Sequence, residues 1–349
     1  MRAKRFWAMF IARNKEFFRD RAAFGWNFLF PFLLVAGFGV IFGGKAYTTY
    51  KVGIFPATPE PVQIAYLDLP PGFLENPYLK FIPFEDRKTG LAKLQRHKID
   101  FLIRTGKQPY NYWVSSDSPK GFVIEQMFKA SLAPQSIQRQ VEKQAIEGRR
   151  FRYIDWLFPG ILAMNMMFSA LWGVGYVVVR YRKNGVLKRL KATPLTAFEY
   201  LAAQMASRIF LLMFTLSVVW FGCDMIFSFS VAGSYIHLFL MFLVGSLSLT
   251  ALGLLLAARG TSEEFATGIL NFISWPMMFL SEVWFSLEGA PQWVKTAANI
   301  FPLTHLLTAV RRIMHDGAGL VDVAPQILVL TAMTLCCLIA GALLFSWNQ

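Results

Sequence analysis

Six apolar runs of about 20 residues restrict the fold of this chain more than any other feature. They are Phe24–Gly43, Trp156–Val179, Ala197–Phe221, Tyr235–Ala258, Phe265–Phe285 and Val323–Ser346. In lipid only a helix satisfies the backbone N–H and C=O groups of a single spanning segment, so each run predicts a helix that crosses the bilayer. Charged residues make up 16% of the 349 residues, against about a quarter in a soluble domain. The sequence therefore predicts an α-helical polytopic membrane protein with six transmembrane helices. The net charge of +14 sits mostly outside the apolar runs, where anionic headgroups and topology explain it better than nucleic acid does. Membrane lipids are expected partners, and nucleic acid is not.

The short loops orient the chain. Residues 2–21 carry seven Lys/Arg and two acids, and Arg180–Pro194 (RYRKNGVLKRLKATP) carries six Lys/Arg and no acid. The Phe227–Ser234 turn carries neither. Short positive loops stay in the cytoplasm, so both termini are expected inside. Long segments cross largely regardless of charge, and the 17 Lys/Arg against 10 acids of residues 45–152 therefore do not vote.

Both basic segments have helical patterns. Phe6, Trp7, Phe10, Ile11, Phe17 and Phe18 share an arc of about 140°, with Asn14 and Arg21 intruding on it. Residues 1–23 are expected to form a cytoplasmic amphipathic helix in the membrane interface. The basic region and the apolar run after it are both too long for a cleaved signal peptide. Residues 24–44 hold the first span, which Pro31 is expected to kink. Within the loop 180–196, GVLKRLKATPL predicts a short helix with Val186, Leu187 and Leu190 on one side and Lys188, Arg189 and Lys191 on the other.

Residues 45–152 differ in kind, since charges and prolines return and no run is long enough to span. Short strands are expected at Val52–Phe55, Leu79–Phe84, Ile99–Arg104 and Tyr110–Ser115. Helices are expected at Arg87–His97 and Pro119–Gly148. This reads as a small extracytoplasmic α/β domain, with residues 153–349 carrying the other five spans. Pro276 is expected to break the fifth span. After it, residues 286–318 form an outer segment with short helices at Pro291–Ala298 and Pro302–Met314, split by Asn299 as a cap. Leu303, Leu306, Leu307, Val310 and Met314 give the second an apolar face. Two half-helices re-entering from the outside must be buried in protein or line a cavity.

Chemistry-bearing motifs are scarce. Gly39, Gly44 and Lys45 match the spacing of a phosphate-binding loop. However, Ala46 stands where the metal-binding Ser/Thr belongs, and the segment ends an apolar helix rather than a strand. No cofactor, metal or catalytic residue is assigned to this chain. Cys223, Cys336 and Cys337 all lie in apolar runs and read as packing residues. An ionisable group at the bilayer centre costs about 2.5–3.5 kcal/mol, so each one within a span needs a reason. Arg208 pairs with Glu199 or another acid, or snorkels to the headgroups; a structural role is the simpler reading. Glu282 either lines an exit route or is solvated. Glu199 caps the positive end of its helix or meets a partner.

With these features in place, the residues resemble the permease subunits of ABC-2 type, or type V, ABC exporters over nearly the whole chain. KNGVLKRLKATPLTAFEYLAAQ is similar to the family's cytoplasmic signature of a basic run, LKRL, a Thr-Pro and a downstream Glu. APQWV…NIFPLTHLLTAVRR is similar to its re-entrant stretch, including Asn299, Pro302 and Arg311. Asn184 departs from the pattern, standing where an acid is common. The resemblance implies two permease chains, identical or different, paired in a bacterial inner membrane. Each docks a separate ATPase subunit that carries ATP and Mg2+. It implies ATPase coupling at Arg182, Lys183, Asn184, Leu187, Lys188, Arg189 and Leu190 and at the N-terminal helix, with Glu199, Glu263 and Glu264 as further contacts. Candidates for the translocation path are Glu282, Asn299, Pro302 and Arg208.

The expected function is ATP-driven export by a chain that is not itself an enzyme, and 34 Phe tilt the cargo toward hydrophobic drugs or lipids. The alternatives are a membrane-embedded enzyme and an ion-coupled secondary transporter. The first needs reactive side chains clustered at one depth, and Glu282, His305 and His315 match no such motif. The second needs inverted repeats and paired midplane charges, and neither is visible.

Overall fold

The computed structural model describes residues 2–42, 50–56, 68–95, 98–106, 109–115, 118–132, 152–258 and 262–344. The chain divides into two compact units, one of Lys45–Arg150 and one of Met1–Gly44 with Phe151–Gln349.

In the smaller unit, β1 (Tyr50–Phe55), β2 (Leu79–Pro83), β3 (Phe101–Arg104) and β4 (Tyr112–Trp113) form a sheet of order β2-β1-β3-β4. β1 is parallel to β2 and β3, with Val52 opposite both Phe81 and Phe101, while β4 is antiparallel to β3. Because side chains alternate along a strand, each strand feeds two cores. Val52, Ile54, Phe101 and Ile103 pack with Ile124 and Phe128 of the helix Pro119–Ser131. Phe55 and Leu102 pack with Ile99 and with Leu94 of the helix Arg87–Gln95. Ser118 starts the Pro119–Ser131 helix by accepting the Gly121 N–H at 3.1 Å, with Pro119 preset for the first turn. Ile99 lies before β3 rather than in it, and β4 takes only two residues of the expected Tyr110–Ser115. Arg96, His97 and residues 133–148 of the expected helices lie outside the described residues.

In the larger unit, helix Arg2–Arg19 is followed by a break at Asp20 and then by helix Arg21–Phe42, which continues through Pro31. Among the described residues, five helical stretches are long and apolar enough to cross a membrane: Phe24–Ile41, Tyr153–Lys183, Phe198–Phe227, Tyr235–Ala257 and Ala324–Leu344. They are called here the first, second, third, fourth and last spans. Gly43, Gly44, Lys45, Ala46 and Ser346 lie outside the described residues.

Three boundaries depart from expectation. The third span extends past Phe221 to Phe227, because Asp224 closes its end: the Asp224 carbonyl accepts the Ser228 N–H at 2.8 Å and its carboxylate accepts the Phe229 N–H at 2.9 Å. The second span runs unbroken to Lys183 but contains a π-helical segment, Leu171–Tyr176. The run Phe265–Phe285 is helical only over Glu263–Leu280 and passes through Pro276 without breaking, closing where Ser281 N–H meets the Met277 carbonyl at 3.0 Å.

The segment 286–318 forms helices Gln292–Ala298 and Pro302–Asp316. The face of Leu303, Leu306, Leu307, Val310 and Met314 is fully buried. It joins one core with Phe158 and Met167 of the second span and Met241, Phe242 and Leu249 of the fourth. Asn299 ends the first of these helices, and Pro302 opens the second.

Phe101→Ala removes a ring from the center of the smaller unit's sheet. It should destabilise that unit by about 3–5 kcal/mol. Hydrogen exchange on the intact protein should then rise in β1 and β3 and stay unchanged in the spans. Unchanged exchange in β1 would contradict the two-core packing.

Candidate functional site

The basic loop starts where the second span ends. Asn184 caps that end, and Gly185 turns the chain at φ +69°, a conformation that costs little only for glycine. The helix Val186–Lys191 follows. Its apolar side is an anchor: Leu187 is fully buried and Leu190 partly so, while Lys188, Arg189 and Lys191 are exposed. The third span then opens with a capping box that the Thr196/Glu199 spacing encodes. Thr196 N–H donates to the Glu199 carboxylate at 2.9 Å, and Glu199 N–H donates to the Thr196 hydroxyl at 3.2 Å. Glu199 is thus a buried structural cap, and its carboxylate also lies 3.7 Å from Arg5 of the N-terminal helix.

The N-terminal helix packs along the third span, with Phe10 against Phe210 and Phe18 against Phe214, both at 5.9 Å between ring centroids. Part of its aromatic stripe therefore faces protein, whereas Trp7 and Ile11 stay exposed. Arg5 donates to the Pro194 carbonyl at the end of the basic loop. Arg13 stacks 5.1 Å over the Tyr181 ring, donates to its hydroxyl and pairs with Glu16 at 2.5 Å. Asn14, which breaks the apolar pattern, is buried and donates its amide to the Phe10 carbonyl at 2.8 Å.

Arg182 and Lys183 point to different neighbours. Arg182 is buried, and its guanidinium donates to the carbonyls of Ala257 and Ala258 at 3.1 and 3.0 Å. Those carbonyls lie at the C-terminus of the fourth span, where no further turn supplies donors. Lys183 lies 3.5 Å from Glu263 and 3.9 Å from Glu264, in the first turn of the Glu263–Leu280 helix. The hydroxyl of Tyr176 donates to Glu263 at 2.7 Å.

Three of the four candidates for a translocation path meet at one place: the Ser281 hydroxyl, next to Glu282, lies 2.9 Å from that of Thr304 in the turn opened by Pro302, and Thr304 donates to the Ala298 carbonyl, next to Asn299, at 2.6 Å. Glu282 sits in a turn at φ +60°; its carboxylate accepts the Leu287 N–H at 2.8 Å and lies 3.6 Å from Arg311. Arg311 is buried, donates to the Glu282 carbonyl at 2.7 Å and stacks 3.7 Å from the Trp156 ring centroid. Pro302 is buried at the start of the helix Pro302–Asp316, and Asn299 is exposed at the end of the helix Gln292–Ala298. Of the four candidates, only Arg208 lines the large cavity of this unit.

That cavity measures about 800 Å³, and its walls include Trp26 and Asn27 of the first span, Trp172 and Gly173 of the π-helical segment, Arg208 and Trp275. Arg208 donates to the backbone carbonyl and the hydroxyl of Ser169, rather than pairing with Glu199. Among the described residues no carboxylate lies within ion-pairing distance of it. Gly173 makes room for the guanidinium, because a Cβ at that position would overlap it. Gln204, Ser207 and Leu211 line the same cavity. Their positions relative to Arg208 follow the spacing of one helix face, a signal present in the sequence and not used there. Among the described residues, no group of three His, Cys, Asp or Glu is arranged to hold a metal.

Arg182→Ala should lower the stability of the larger unit by about 1.5–3 kcal/mol, the scale of hydrogen bonds to a charged group. A lowered thermal unfolding midpoint in detergent, only partly recovered by Arg182→Lys, is the expected result.

The family model described as ABC-2 family transporter protein matches residues 22–343. The chain is 28% identical over 181 residues to the inner membrane transport permease YhhJ of Escherichia coli (strain K12), covering 50% of this chain and 48% of that protein. It is 24% identical over 186 residues to the probable multidrug ABC transporter permease YbhR of the same organism, covering 52% and 50%. It is 21% identical over 174 residues to the daunorubicin resistance ABC transporter permease protein DrrB1 of Streptomyces coeruleorubidus, covering 49% and 61%. The match to these curated relatives spans about half of their length. The chain is a polytopic α-helical membrane protein and belongs to the ABC-2 family of transporter proteins.

Proposed function

We propose that this chain is the membrane-spanning permease subunit of an ATP-driven exporter in a bacterial inner membrane, working with a second permease chain and a separate ATPase. Family membership supports the reading, as do relatives named as inner membrane, multidrug and daunorubicin resistance permeases. In this arrangement ATP and Mg2+ belong to the ATPase subunit, and this chain converts its closure into movement of the spans.

The observation that carries the proposal is the helix Val186–Lys191. It presents three cations outward and is wedged inward by Leu187. The residues just before it are tied to separate helices: Arg182 to the end of the fourth span, Lys183 to the start of the Glu263–Leu280 helix, and Tyr181 to Arg13 of the N-terminal helix. A push on this basic knob is therefore delivered to several helices at once. Lys188, Arg189 and Lys191 serve as the docking face, while Arg182, Leu187 and Glu199 transmit force from within.

The topology that fits this role has six crossings with both termini in the cytoplasm. The 18-residue helix Glu263–Leu280 supplies the fifth crossing, since about 1.5 Å per residue brings it close to the hydrocarbon thickness of about 30 Å. The smaller unit then lies outside the cytoplasm and the outer helices re-enter from that side. The aromatic lining of the cavity suits a hydrophobic cargo such as a drug or lipid.

The double variant Lys188→Glu/Arg189→Glu should reduce co-purification of the ATPase about tenfold or more through like-charge repulsion, with membrane insertion unchanged. Undiminished ATPase yield from this variant removes the docking face. For topology, Glu75→Cys in intact cells stripped of their outer membrane should react with a membrane-impermeant maleimide. Labelling that requires membrane disruption would place the smaller unit in the cytoplasm.

A further inference from the structure

We infer that the cavity beside the π-helical segment binds an amphipathic anion, with a phosphate or carboxylate head on Arg208 and an apolar body among the indoles. The inference deepens the export reading and rests on it for the claim that the bound molecule is cargo.

Arg208 is the starting point. A cation within a span is costly unless it is paired. Here the hydrogen-bond partners of Arg208 are the two neutral oxygens of Ser169, and its Nε has no acceptor among the described residues. One turn earlier on the same face, Gln204 is 1% exposed and its Oε1 likewise lacks a partner. The other charged groups lining the cavity are Arg13, Glu16, Asp20 and Arg180. Of the two acids, Glu16 is engaged by Arg13 at 2.5 Å and also accepts the Tyr181 hydroxyl. Neither acid lies within ion-pairing distance of Arg208. An oxyanion entering the cavity would supply the negative charge that Arg208 lacks.

The remaining wall selects the rest of the ligand. Trp26, Trp172, Trp275 and Trp284 line the same space, and indoles give a large apolar face with a polar N–H edge. Next to the guanidinium, the Ser169 hydroxyl donates to the Asn27 side chain at 2.6 Å, so neutral dipoles flank the head position. A volume of about 800 Å³ falls in the range of sites that enclose a small organic molecule. A simple inorganic ion would fill little of it.

The test uses the full-length protein in nanodiscs of phosphatidylcholine, with its tryptophan fluorescence titrated by dodecyl phosphate, neutral dodecyl glucoside and inorganic phosphate. Dodecyl phosphate should bind the wild type and bind Arg208→Gln about tenfold more weakly, with Arg208→Lys in between. Dodecyl glucoside should not distinguish Arg208→Gln from wild type. Inorganic phosphate should need a far higher concentration than dodecyl phosphate. Equal affinity of dodecyl phosphate for wild type and a folded Arg208→Gln overturns the site, and inorganic phosphate binding as tightly as dodecyl phosphate overturns the amphiphile. If Arg208→Gln does not fold, Gly173→Ala, which pushes the guanidinium from its seat, should give the same loss, and unchanged binding there overturns the site. The assay contains no ATPase. No binding of dodecyl phosphate by a wild type that still exports with ATP therefore removes this inference alone, and intact binding without ATP-driven export removes the transport reading alone.

Discussion

The end of a helix leaves carbonyls with no intrahelical donor, and in the larger unit arginines from neighbouring segments supply the missing hydrogen bonds. Arg182 serves Ala257 and Ala258 at the end of the fourth span. Arg152 donates to Phe227 and Ser228 at the end of the third span, at 2.9 and 3.3 Å, while gripping Asp155 in the first turn of the second at 2.7 Å. Arg311 serves the carbonyl of Glu282 after the Glu263–Leu280 helix. Arg312 donates to the Asp322 carbonyl at 2.8 Å, just before the last span. Each guanidinium reaches a different segment from its own, so the same bond that satisfies a carbonyl also fixes two elements against each other. With about 1.5–3 kcal/mol at stake for a hydrogen bond to a charged group, these bonds rank among the stronger local ties in a bundle whose lipid-facing surfaces gain little from apolar association.

This arrangement gives the basic loop its mechanical character. Its exposed cations are a surface, but its buried members determine what the surface is attached to. Leu187 seats the short helix, Arg182 locks the preceding turn to the fourth span, and the Thr196/Glu199 box starts the third span in a set direction. Gly185 permits the sharp change of direction between the two helices. The N-terminal helix joins the same assembly through Arg5 and Arg13, so a segment that its amphipathic pattern assigns to the membrane interface is also bolted to protein.

Charge at the opposite end is handled in the same way. In the proposed topology Arg311 and Arg312 lie outside, against the rule that positive residues remain inside. Arg311 is buried against Glu282 and Trp156, and Arg312 is committed to a backbone carbonyl. Arg208 differs from Arg311 in having no carboxylate within ion-pairing distance among the described residues, and from Arg312 in lining the large cavity.

Periodicity and charge in the sequence determined the class of the protein, the position of nearly every helix, the inserted unit with its short strands, the place of Glu199 at the start of the third span and the apolar face of Pro302–Asp316. These follow from local rules: a helix repeats every 3.6 residues, a strand every two, and a span needs about 20 apolar residues. Tertiary structure alone decided which basic residues are buried ties and which are exposed. Arg182 and Arg189 look alike in sequence, yet only Arg182 meets a helix end 75 positions away. The same holds for Asp224, which extends a helix by capping it, and for Pro276, which the surrounding helix tolerates. The cavity at Arg208 was beyond local reading for the same physical reason. Its walls come from segments far apart in the chain, and whether a cation finds a partner there depends on packing rather than on its neighbours in sequence.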